Sequence, residues 1–600
     1  AKCRPGQLAS CQCAQDPRAG RSARCTRTRG CIQHAPVGPT EAPSVQSVCP
    51  SGAPPAPVDR VSAVSARMWW SLSQHGAYGM EADRPRLVLC GVWCGVLVAL
   101  LLMFLHAHQP EDLLLPLLSQ PGRDFISSTD PAIRFSGRVL NVSPECPGGN
   151  GNCNTSYVKY DWPCVQLRFW VPAGQQRVVV AMDGGGNYFA VFVAGVRAVD
   201  RMHTTHGVRG YAFAFNASTA PAGREGAAPH GWHLTCTGGA RDSAAQYAAA
   251  TADADAFERA IAADYAITLH RDGGAGLPGS SDAVEVIIVK ANEASYFVSP
   301  LLMTQSAVRV YGVSLPAGKR LFPPPPPPTR RIEFFGDSDS NGFGILGPPT
   351  EDLRCVSHML YYQDCSRGYA AQLAQELQAE AHIQAWSGLG IVKNAVGFFR
   401  SSSAPLPIHW ARTIATQSTP EWLFASWRPD VVVVLAGLND FFSHPHPTDD
   451  MFVQGYLALL RHIAASYDQA AGGGASVVAA RGHPGVGTPW WAHPRQAAEA
   501  SDAIGAAAGS VSALQRRDQR AVQIVSLCGG SMAGDNVPCG LVRTAVEQFQ
   551  EERAGVWFVN QSAMGTVFPG DYGCLEHRGV PGQVKMQKFL APEIRRIMGW

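Results

Sequence analysis

The stretch IEFFGDSDSNGFG, residues 332–344, combines a short apolar strand with a turn built from small and polar residues. Such a turn can present a serine hydroxyl at the carboxyl edge of a parallel sheet, where open α/β folds place their reactive groups. Gly-Asp-Ser also occurs in ordinary turns, and a serine there can simply cap a helix. The stretch therefore predicts an α/β domain, and it offers Ser338 as a reactive group that the rest of the chain must support.

Beyond this turn, apolar strands alternate with amphipathic helices. The strand segments include AHIQAWSG (381–388), DVVVVLAG (430–437) and VQIVSL (522–527), and helical segments such as VQGYLALLRHIAASY separate them. This alternation is typical of a mostly parallel sheet with helices on both faces. We expect one α/β domain over residues 331–600, with its functional groups at the carboxyl ends of the strands.

The preceding region, residues 130–322, has a different pattern. It consists of short β-type runs such as CVQLRFWV and AVEVIIVKAN, which Gly, Pro and Asp interrupt and which no matching number of helices accompanies. This pattern favours an antiparallel β-sandwich. The six prolines within residues 323–330 lack amide donors, and we expect them to form a stiff linker between the sandwich and the α/β domain.

Four segments at strand ends or before the last helix carry the groups that could do chemistry. GDSDSNG offers the hydroxyl of Ser338, WSGLG the backbone amide of Gly388, LAGLND the side-chain amide of Asn439, and GDYGCLEHRGVPG the imidazole of His577. A nucleophile, a base that takes its proton and donors aimed at a developing oxyanion are what acyl transfer requires. Each residue alone could be a turn, packing or surface residue, but together they predict an active site.

This order of residues resembles the SGNH (GDSL-type) hydrolase superfamily, whose letters are these four residue types. More narrowly, IEFFGDSDSNGFG, WRPDVVVVLAGLNDFF and HRGVPGQVKM are similar to the second carbohydrate esterase family. The resemblance covers residues 130–595 and is dense in 331–445 and 571–590. It implies a jelly-roll sandwich ahead of an SGNH domain, and an enzyme that removes acetyl groups from plant-type polysaccharides, as acetyl xylan esterases do.

The resemblance also implies residue roles. Ser338 would be the nucleophile, and His577 the general base that then protonates the departing sugar hydroxyl. Gly388, Asn439 and the backbone amide of Ser338 would form the oxyanion hole. Asp440, which follows Asn439, is expected to buttress its loop. This mechanism implies no metal and no organic cofactor.

The chain departs from the family at the third position of the triad. SGNH enzymes usually carry an Asp three residues before the His, and here Cys574 occupies that position. A thiol is a weak hydrogen-bond acceptor and cannot hold an imidazolium as a carboxylate does. Three alternatives stay open: a backbone carbonyl orients His577 in a Ser-His dyad, Asp571 reaches it, or the site is impaired. Since some members of the resembled family work without the carboxylate, we favour the dyad.

Aromatic residues and a histidine pair lie beside these segments. Four of them, Trp386, Phe343, Phe441 and Phe442, could stack on sugar rings of a substrate, with core packing as the alternative. His444 and His446 resemble a metal pair, but their Pro-containing loop has no third nearby ligand. We therefore predict no metal site.

The expected activity is that of a serine carboxylic-ester hydrolase that removes O-acetyl groups from a polysaccharide or glycan. One alternative is an O-acyltransferase on the same fold, in which a sugar hydroxyl instead of water resolves the acyl-enzyme. A second is a catalytically impaired glycan-binding protein, which the cysteine at the triad position suggests. With 46% apolar residues and a net charge of +2, the 600-residue chain gives no indication of a nucleic-acid partner.

The amino-terminal part predicts a membrane anchor. Residues 1–80 are rich in Arg, Gly, Pro and Cys, and we expect them to be disordered or a gene-model extension. Residues 87–105 contain no charge over a length that suffices for a transmembrane helix. Arginines before and acidic residues after this run predict a type II orientation with a luminal or extracellular catalytic domain. A cleaved signal peptide, and hence a secreted protein, is the alternative.

Sequons and cysteines agree with a compartment of the secretory pathway. Four glycosylation sequons follow the apolar run, at Asn141, Asn154, Asn216 and Asn560. Nine of the 17 cysteines also follow it, and an oxidising lumen would let them pair. Closeness in sequence suggests the pairs Cys355–Cys365 and Cys528–Cys539. Two more bonds are expected among Cys146, Cys153, Cys164 and Cys236, which would leave Cys574 unmatched.

Overall fold

The computed structural model of the chain describes residues 122–143, 156–172, 176–218, 232–237, 265–271, 283–294, 307–349, 355, 359–395, 404–471, 521–528 and 539–600. The predicted extension at 1–80 and the predicted anchor at 87–105 lie outside these residues. Among the residues that the structure describes, no helix combines the length and the apolar composition needed to cross a membrane. Two of the four predicted glycan acceptors, Asn141 and Asn560, are described with their side chains and are exposed.

The part of the chain before the proline run folds into β-strands. These are β1 (Arg123–Ser127), β2 (Ile133–Ser136), β3 (Leu140–Val142), β4 (Tyr157–Tyr160), β5 (Gln166–Pro172), β6 (Gln176–Asp183), β7 (Tyr188–Val193), β8 (Val196–His203), β9 (Arg209–Ser218), β10 (Trp232–Thr237), β11 (Tyr265–Arg271), β12 (Ala283–Lys290) and β13 (Val308–Pro316). Along β12, Val284, Val286 and Ile288 are buried while the residues between them are more exposed. This period of two is the pattern of a strand with one face toward a core.

These strands form two sheets. One has eight strands in the order β10-β11-β9-β6-β13-β4-β3, with β1 also paired to β13, and the other has five in the order β2-β5-β12-β7-β8. Phe213 of the first sheet and Phe169 of the second belong to the same buried core. The predicted antiparallel pairing is confirmed except at β9 and β11, which pair in parallel.

The second part of the chain contains the predicted parallel sheet. Its strands are β14 (Arg330–Gly336), β15 (Ala379–Ala385), β16 (Val431–Leu435), β17 (Gln523–Cys528) and β18 (Val556–Asn560). All pairs are parallel, in the order β15-β14-β16-β17-β18. All five residues of β16 are buried, as expected of an apolar strand that is covered on both faces.

Helices cover both faces of this sheet. They are α1 (Met359–Tyr362), α2 (Tyr369–Glu376), α3 (Leu406–Trp410), α4 (Asp449–Ala471), α5 (Cys539–Glu552) and α6 (Val580–Met598). Helices α2 and α6 place Leu373 and Leu590 in one core with Val433, whereas Val546 of α5 shares a second core with Val434. Because neighbouring residues of one strand point to opposite faces, these two cores lie on opposite sides of the sheet.

The sandwich packs directly against the α/β part. The core that contains Val434 also contains side chains of both sandwich sheets. At this junction the fully buried guanidinium of Arg138 pairs with Glu333 at 2.8 Å, and Tyr467 donates a hydrogen bond to the same carboxylate. A disulfide between Cys164 and Cys365 joins the two parts covalently. The boundary at residues 323–330 stays a prediction.

The disulfides correct part of the predicted pairing. Cys528–Cys539 is confirmed. Cys365 pairs with Cys164 and not with Cys355, and Cys355 pairs with Cys574, which was expected to be unmatched. Closeness in sequence failed here because the fold brings together partners 201 and 219 residues apart. The side chains of Cys146, Cys153 and Cys236 lie outside the described residues.

Candidate active site

The turn after β14 holds Ser338 by local contacts. The amides of Ser340 and Asn341 both donate to the carbonyl of Asp337, and the Phe343 amide donates to the carbonyl of Ser338 at 3.0 Å. The turn passes so close to the strand end that a Cβ on Gly336 would lie 2.0 Å from Oγ of Ser340. Small residues are therefore required where the turn folds back. Ser338 ends up 6% exposed at the carboxyl edge of the sheet.

The imidazole of His577 reaches this serine across 239 residues of chain. Its Nε2 lies 2.9 Å from Oγ of Ser338, and its Nδ1 lies 2.9 Å from the backbone carbonyl oxygen of Leu575. Since a carbonyl can only accept, Nδ1 carries the proton, and Nε2 is left to accept from the serine hydroxyl. Burial lowers the pKa of His577, although the Asp339 carboxylate opposes this shift. A neutral imidazole at neutral pH is the form that a general base needs.

The loop that carries His577 has an unfavourable backbone conformation. Leu575 and Glu576 have φ of 53° and 56°, in the left-handed region that side chains other than glycine rarely adopt. Each such residue costs on the order of 1–3 kcal/mol, so the surrounding structure must impose it. This conformation turns the Leu575 carbonyl toward Nδ1 of His577.

Long-range contacts impose this conformation. Cys574 is tied to Cys355 by a disulfide, and its amide donates to the carbonyl of Gly344 at 3.0 Å. On the other side, the Gly573 amide donates to the carbonyl of His577 at 2.7 Å. Cys574, which occupies the usual Asp position, is thus an anchor of the loop instead of an acceptor for the imidazole.

A buried ion pair joins the nucleophile turn to the histidine loop. Arg578 directly follows His577, and Asp339 directly follows Ser338. The guanidinium of Arg578 lies 2.7 Å from the carboxylate of Asp339, and both side chains are buried. The ring of Phe343 packs against His577 with 4.6 Å between centroids. These contacts fix the two loops relative to each other. The sequence contained this signal, since an acidic residue directly follows Ser338 and a basic residue directly follows His577.

The two other oxyanion candidates lie on adjoining loops. Gly388 has a φ of 77°, which favours glycine, and its amide donates to no residue in the described part of the chain. The Asn439 side-chain amide donates to Asp337 at 3.2 Å and to the carbonyl of Leu389 at 3.0 Å. Burial, and then the nearby Asp339, raise the pKa of Asp337 to about 8. At neutral pH its carboxyl is largely protonated, which makes it a weak acceptor for Asn439.

Asp440 buttresses a loop instead of orienting the base, as predicted, and that loop is the one that carries Gly388. Its carboxylate accepts hydrogen bonds from the amides of Ile391, Val392 and Lys393 at 2.7–2.9 Å. Burial raises its pKa to about 6, and these three donors act in the opposite direction. Asp440 therefore ties the Asn439 loop to the Gly388 loop and has no contact with the base.

The possible orienting role of Asp571 is corrected by this geometry. Its Oδ2 accepts from the Val567 amide at 2.6 Å and pairs with the ammonium of Lys585. The carbonyl of Leu575 takes the place beside Nδ1 of His577 instead. Every residue has a backbone carbonyl, so the sequence could suggest a Ser-His dyad but could not identify Leu575 as the residue that contacts Nδ1 of His577.

Two of the four predicted sugar platforms are also corrected. Trp386 and Phe343 are 1% and 2% exposed, so neither ring has a face available for a substrate. Trp386 directly follows β15 and packs against the rings of Trp162 and His409. Of the other two candidates, Phe441 is half-buried and Phe442 is 45% exposed.

His444 and His446, the predicted histidine pair, lie next to this loop. The rings of His444 and His446 stack with 4.1 Å between their centroids. Within the described ranges, no group of three or more His, Cys, Asp or Glu side chains is arranged to hold a metal ion.

Part of the chain is similar to a known family. Residues 334–531 match the family model of the GDSL-like lipase/acylhydrolases. This segment is similar to GDSL-like acylhydrolase domains. The superfamily resemblance that the four motifs suggested is thus confirmed.

Named relatives extend the likeness to carbohydrate esterases. The chain is 33% identical over 165 residues to the cellulase/esterase CelE of Acetivibrio thermocellus, a match that covers 27% of this chain and 19% of that protein. It is 32% identical over 177 residues to an acetylxylan esterase/glucomannan deacetylase of Cellvibrio japonicus, with 27% and 46% covered. The chain thus matches less than half the length of these relatives.

Solved structures of carbohydrate esterases align over most of the chain. A family two carbohydrate esterase from Clostridium thermocellum, in complex with cellohexaose, aligns at 18% identity and a TM-score of 0.46, covering 78% of this chain and 99% of that one. The acetyl xylan esterase Est2A from Butyrivibrio proteoclasticus aligns at 14% identity and a TM-score of 0.48, covering 80% and 99%.

Proposed function

We propose that the chain is a carbohydrate O-acetyl esterase that works through an acetyl-Ser338 intermediate. The observation that carries this proposal is the contact of 2.9 Å between Oγ of Ser338 and Nε2 of His577, with Nδ1 held by the Leu575 carbonyl. The substrate class comes from the relatives, two of which are named as acetylxylan esterases or glucomannan deacetylases. The β-sandwich, which we take to be the jelly roll of this family, would border the polysaccharide.

In the first half-reaction, Oγ of Ser338 attacks the acetyl carbonyl carbon while its proton moves to Nε2 of His577. The negative charge that develops on the carbonyl oxygen accepts hydrogen bonds from the backbone amides of Ser338 and Gly388 and from the side chain of Asn439. When the tetrahedral intermediate collapses, the carbon–oxygen bond to the sugar breaks. His577 then returns its proton to the departing sugar oxygen.

In the second half-reaction, water attacks the acetyl-serine and gives its proton to Nε2 of His577. The bond to Oγ breaks, acetate leaves, and the serine regains its proton. Throughout, the Leu575 carbonyl holds the proton on Nδ1, so that Nε2 always faces the reacting atoms. The imidazolium formed in each step lies near the carboxylate of Asp339, which favours its charge.

Asn439 must release one present partner to serve the oxyanion. Both of its amide hydrogens are in use, toward Leu389 at 3.0 Å and toward Asp337 at 3.2 Å. The bond to Asp337 is the longer one, and a mostly protonated carboxyl accepts weakly. A full negative charge on the substrate oxygen is a much stronger acceptor, so the exchange is favoured only when that charge develops. This is the difference between ground state and transition state that catalysis requires.

The proposal is tested by acetate release from 4-nitrophenyl acetate and acetylated xylan, with wild type beside Ser338→Ala, both produced in an oxidising host. We expect hydrolysis by wild type and its loss in the variant. If well-folded wild type releases no acetate from either substrate or from a wider panel of acylated glycans, the hydrolase assignment is wrong.

Two alternatives are decided by the same samples. Acetylated oligosaccharide formed from an added glycan acceptor would favour an acyltransferase, in which a sugar hydroxyl replaces water in the second half-reaction. Binding without turnover, equal in wild type and Ser338→Ala, would favour a glycan-binding protein. The cysteine at the triad position suggested impairment, but it forms a disulfide with Cys355. The contact between Ser338 and His577 also weighs against this alternative.

We also propose that the catalytic part lies in an oxidising compartment of the secretory pathway or outside the cell. Three disulfides among the described residues fit such a compartment. Membrane anchoring as a type II protein rests on the sequence of residues 87–105 alone. Protease protection of the catalytic part in intact microsomes is the expected result, and digestion without detergent would contradict it.

A further inference from the structure

One carboxylate of the β-sandwich is buried between the loops of the candidate active site. Glu293 follows β12 and is 1% exposed. Its Oε2 accepts a hydrogen bond from the backbone amide of Ser387 at 2.7 Å and another from the side-chain amide of Asn341. Ser387 directly precedes the oxyanion candidate Gly388, and Asn341 belongs to the turn that carries Ser338. One oxygen atom thus bridges the two loops that must face the substrate carbonyl.

The surrounding side chains close this bridge into a network. The amide of Asn341 also donates to Oγ of Ser387 at 3.1 Å, and its carbonyl oxygen accepts from Gln363 at 2.9 Å. Gln363 in turn accepts from the backbone amide of Glu293. All four side chains are at most 3% exposed. Because water cannot replace a lost partner here, each bond constrains the position of both groups that it joins.

We propose that Glu293 is a positioning residue that sets the distance between the Ser338 turn and the Gly388 amide, so that the sandwich completes the oxyanion hole. This inference rests on the function proposed above. In the described part of the chain, no hydrogen bond joins the Glu293 side chain to Ser338 or His577, so we assign it no role in proton transfer. It acts through the placement of a donor, and a displacement of about 1 Å in such a group can cost about 100-fold in rate.

The geometry of Glu293 matters here more than its charge. Burial raises its pKa to about 7, and the hydrogen bonds from Ser387 and the nearby Lys290 oppose that shift. A considerable fraction of the carboxyl is therefore neutral at neutral pH. A neutral side chain of the same length can still accept both bonds through one oxygen, whereas a shorter carboxylate cannot reach them.

Two substitutions separate geometry from charge. Glu293→Gln keeps the length and one accepting oxygen, so we expect kcat to stay within about threefold of wild type. Glu293→Asp keeps the charge but withdraws the oxygen by one methylene, so we expect kcat to fall about 10-fold to 100-fold with KM changed by less than about twofold. A merely electrostatic role would give the opposite order, and a merely structural role would lower Tm in both without a selective loss of kcat.

A matched control lies at the same junction. Asp161 is another buried carboxylate of the sandwich, and it accepts from the amides of Ala415 and Thr416 in the α/β part. It contacts neither Ser387 nor Asn341 in the described structure. Asp161→Ala should lower Tm and leave the kcat of the folded enzyme within about threefold. An equal loss of kcat in Asp161→Ala and Glu293→Asp would overturn the specific role of Glu293.

A second readout keeps the test independent of the true substrate. Fluorophosphonates phosphonylate an activated serine with loss of fluoride, through a state whose phosphoryl oxygen occupies the oxyanion hole. We expect Ser338 to be labelled more slowly in Glu293→Asp and at the wild-type rate in Glu293→Gln. Mass spectrometry of the peptide that contains Ser338 measures these rates. If wild type labels but hydrolyses no glycan ester, the proposed substrate is wrong while the labelling rates still test Glu293. Wild-type rates in Glu293→Asp, on ester and on fluorophosphonate, would refute the inference.

Discussion

The two loops that meet at the candidate active site are held in opposite ways. The Ser338 turn is short, rich in small residues, and closed by hydrogen bonds between residues that are neighbours in sequence. The His577 loop contains two left-handed residues and is fixed by a disulfide to Cys355 and a hydrogen bond to Gly344. The backbone of the Ser338 turn is thus shaped by local hydrogen bonds, whereas the backbone of the His577 loop is held by distant parts of the chain.

This difference predicts how strongly catalysis responds to substitutions around each loop. A turn that its own residues define persists as long as the sheet is intact. A loop that distant contacts force into an unfavourable conformation relaxes when one of those contacts is lost, since the strain of its left-handed residues is then released. We therefore expect catalysis to be more sensitive to changes around His577 than to changes of similar size around Ser338.

The largest effect is expected from removal of the base itself. In His577→Ala no group takes the proton of Ser338, and a positioned general base contributes typically 10²–10⁴-fold. We expect kcat/KM for 4-nitrophenyl acetate to fall by about 10³–10⁴-fold, with the fold preserved by circular dichroism. A loss below about tenfold would show that another group activates the serine.

The next effect concerns the oxyanion hole. Asn439→Ala removes one donor, and the loss of one such donor costs about 10²–10³-fold in kcat. KM should change little, because the bond forms only when charge develops. A variant that raises KM while it leaves kcat intact would place Asn439 in substrate binding instead. Steady-state kinetics on one soluble acetyl ester distinguishes these outcomes.

A smaller effect is expected from the disulfide of the histidine loop. The double variant Cys355→Ser/Cys574→Ser frees the loop, so that the Leu575 carbonyl can turn away from Nδ1 and kcat falls about 10-fold to 100-fold. Its stability should fall as well, by about 2–4 kcal/mol. Chemical denaturation and kinetics on the same preparation measure both quantities.

The Cys528–Cys539 bond provides the control for this variant. It joins the end of β17 to the start of α5, with a sequence separation of 11. Cys528→Ser/Cys539→Ser should cost stability while kcat stays within about threefold. Equal losses of kcat in the two double variants would contradict the idea that the first disulfide positions the base.

The smallest effect is a pH dependence. Burial lowers the pKa of His577 below its usual value near 6.5, and only the neutral imidazole can accept the serine proton. On the acidic side, activity should therefore persist through pH 6.5 and decline only as the pH falls through the lowered pKa of His577. A pH–rate profile of kcat/KM with its acidic limb above pH 7 would contradict the depressed pKa.

The sequence predicted those features that depend on local pattern. Apolar runs such as the five residues of β16 predicted the parallel sheet, and the small-residue turn predicted that Ser338 lies at its edge, since burial on both faces and a tight turn each restrict residue type. The four SGNH positions follow from their order at strand ends. The contact between Ser338 and His577 could be predicted from this topology and from the resemblance to one family.

Features that depend on long-range packing could not be predicted in this way. Cys574 reads as an unmatched cysteine until the fold brings Cys355 to it. Trp386 was predicted to be a sugar platform, but it lies directly after β15 with its side chain in the core. The Leu575 carbonyl and the carboxylate of Glu293 reach the site through backbone conformation and the packing of two sheets, and neither leaves a mark at a fixed spacing from a motif.

The central claim is that Ser338 carries the acetyl group during turnover, with His577 as its base. The most direct measurement is rapid acid quenching of the enzyme during turnover of 4-nitrophenyl acetate, followed by mass spectrometry of the peptide that contains Ser338. We predict one acetyl group on Ser338 in wild type and none at this position in His577→Ala on the same timescale. Turnover without acetylated Ser338, at a rate that Ser338→Ala retains, would contradict the account.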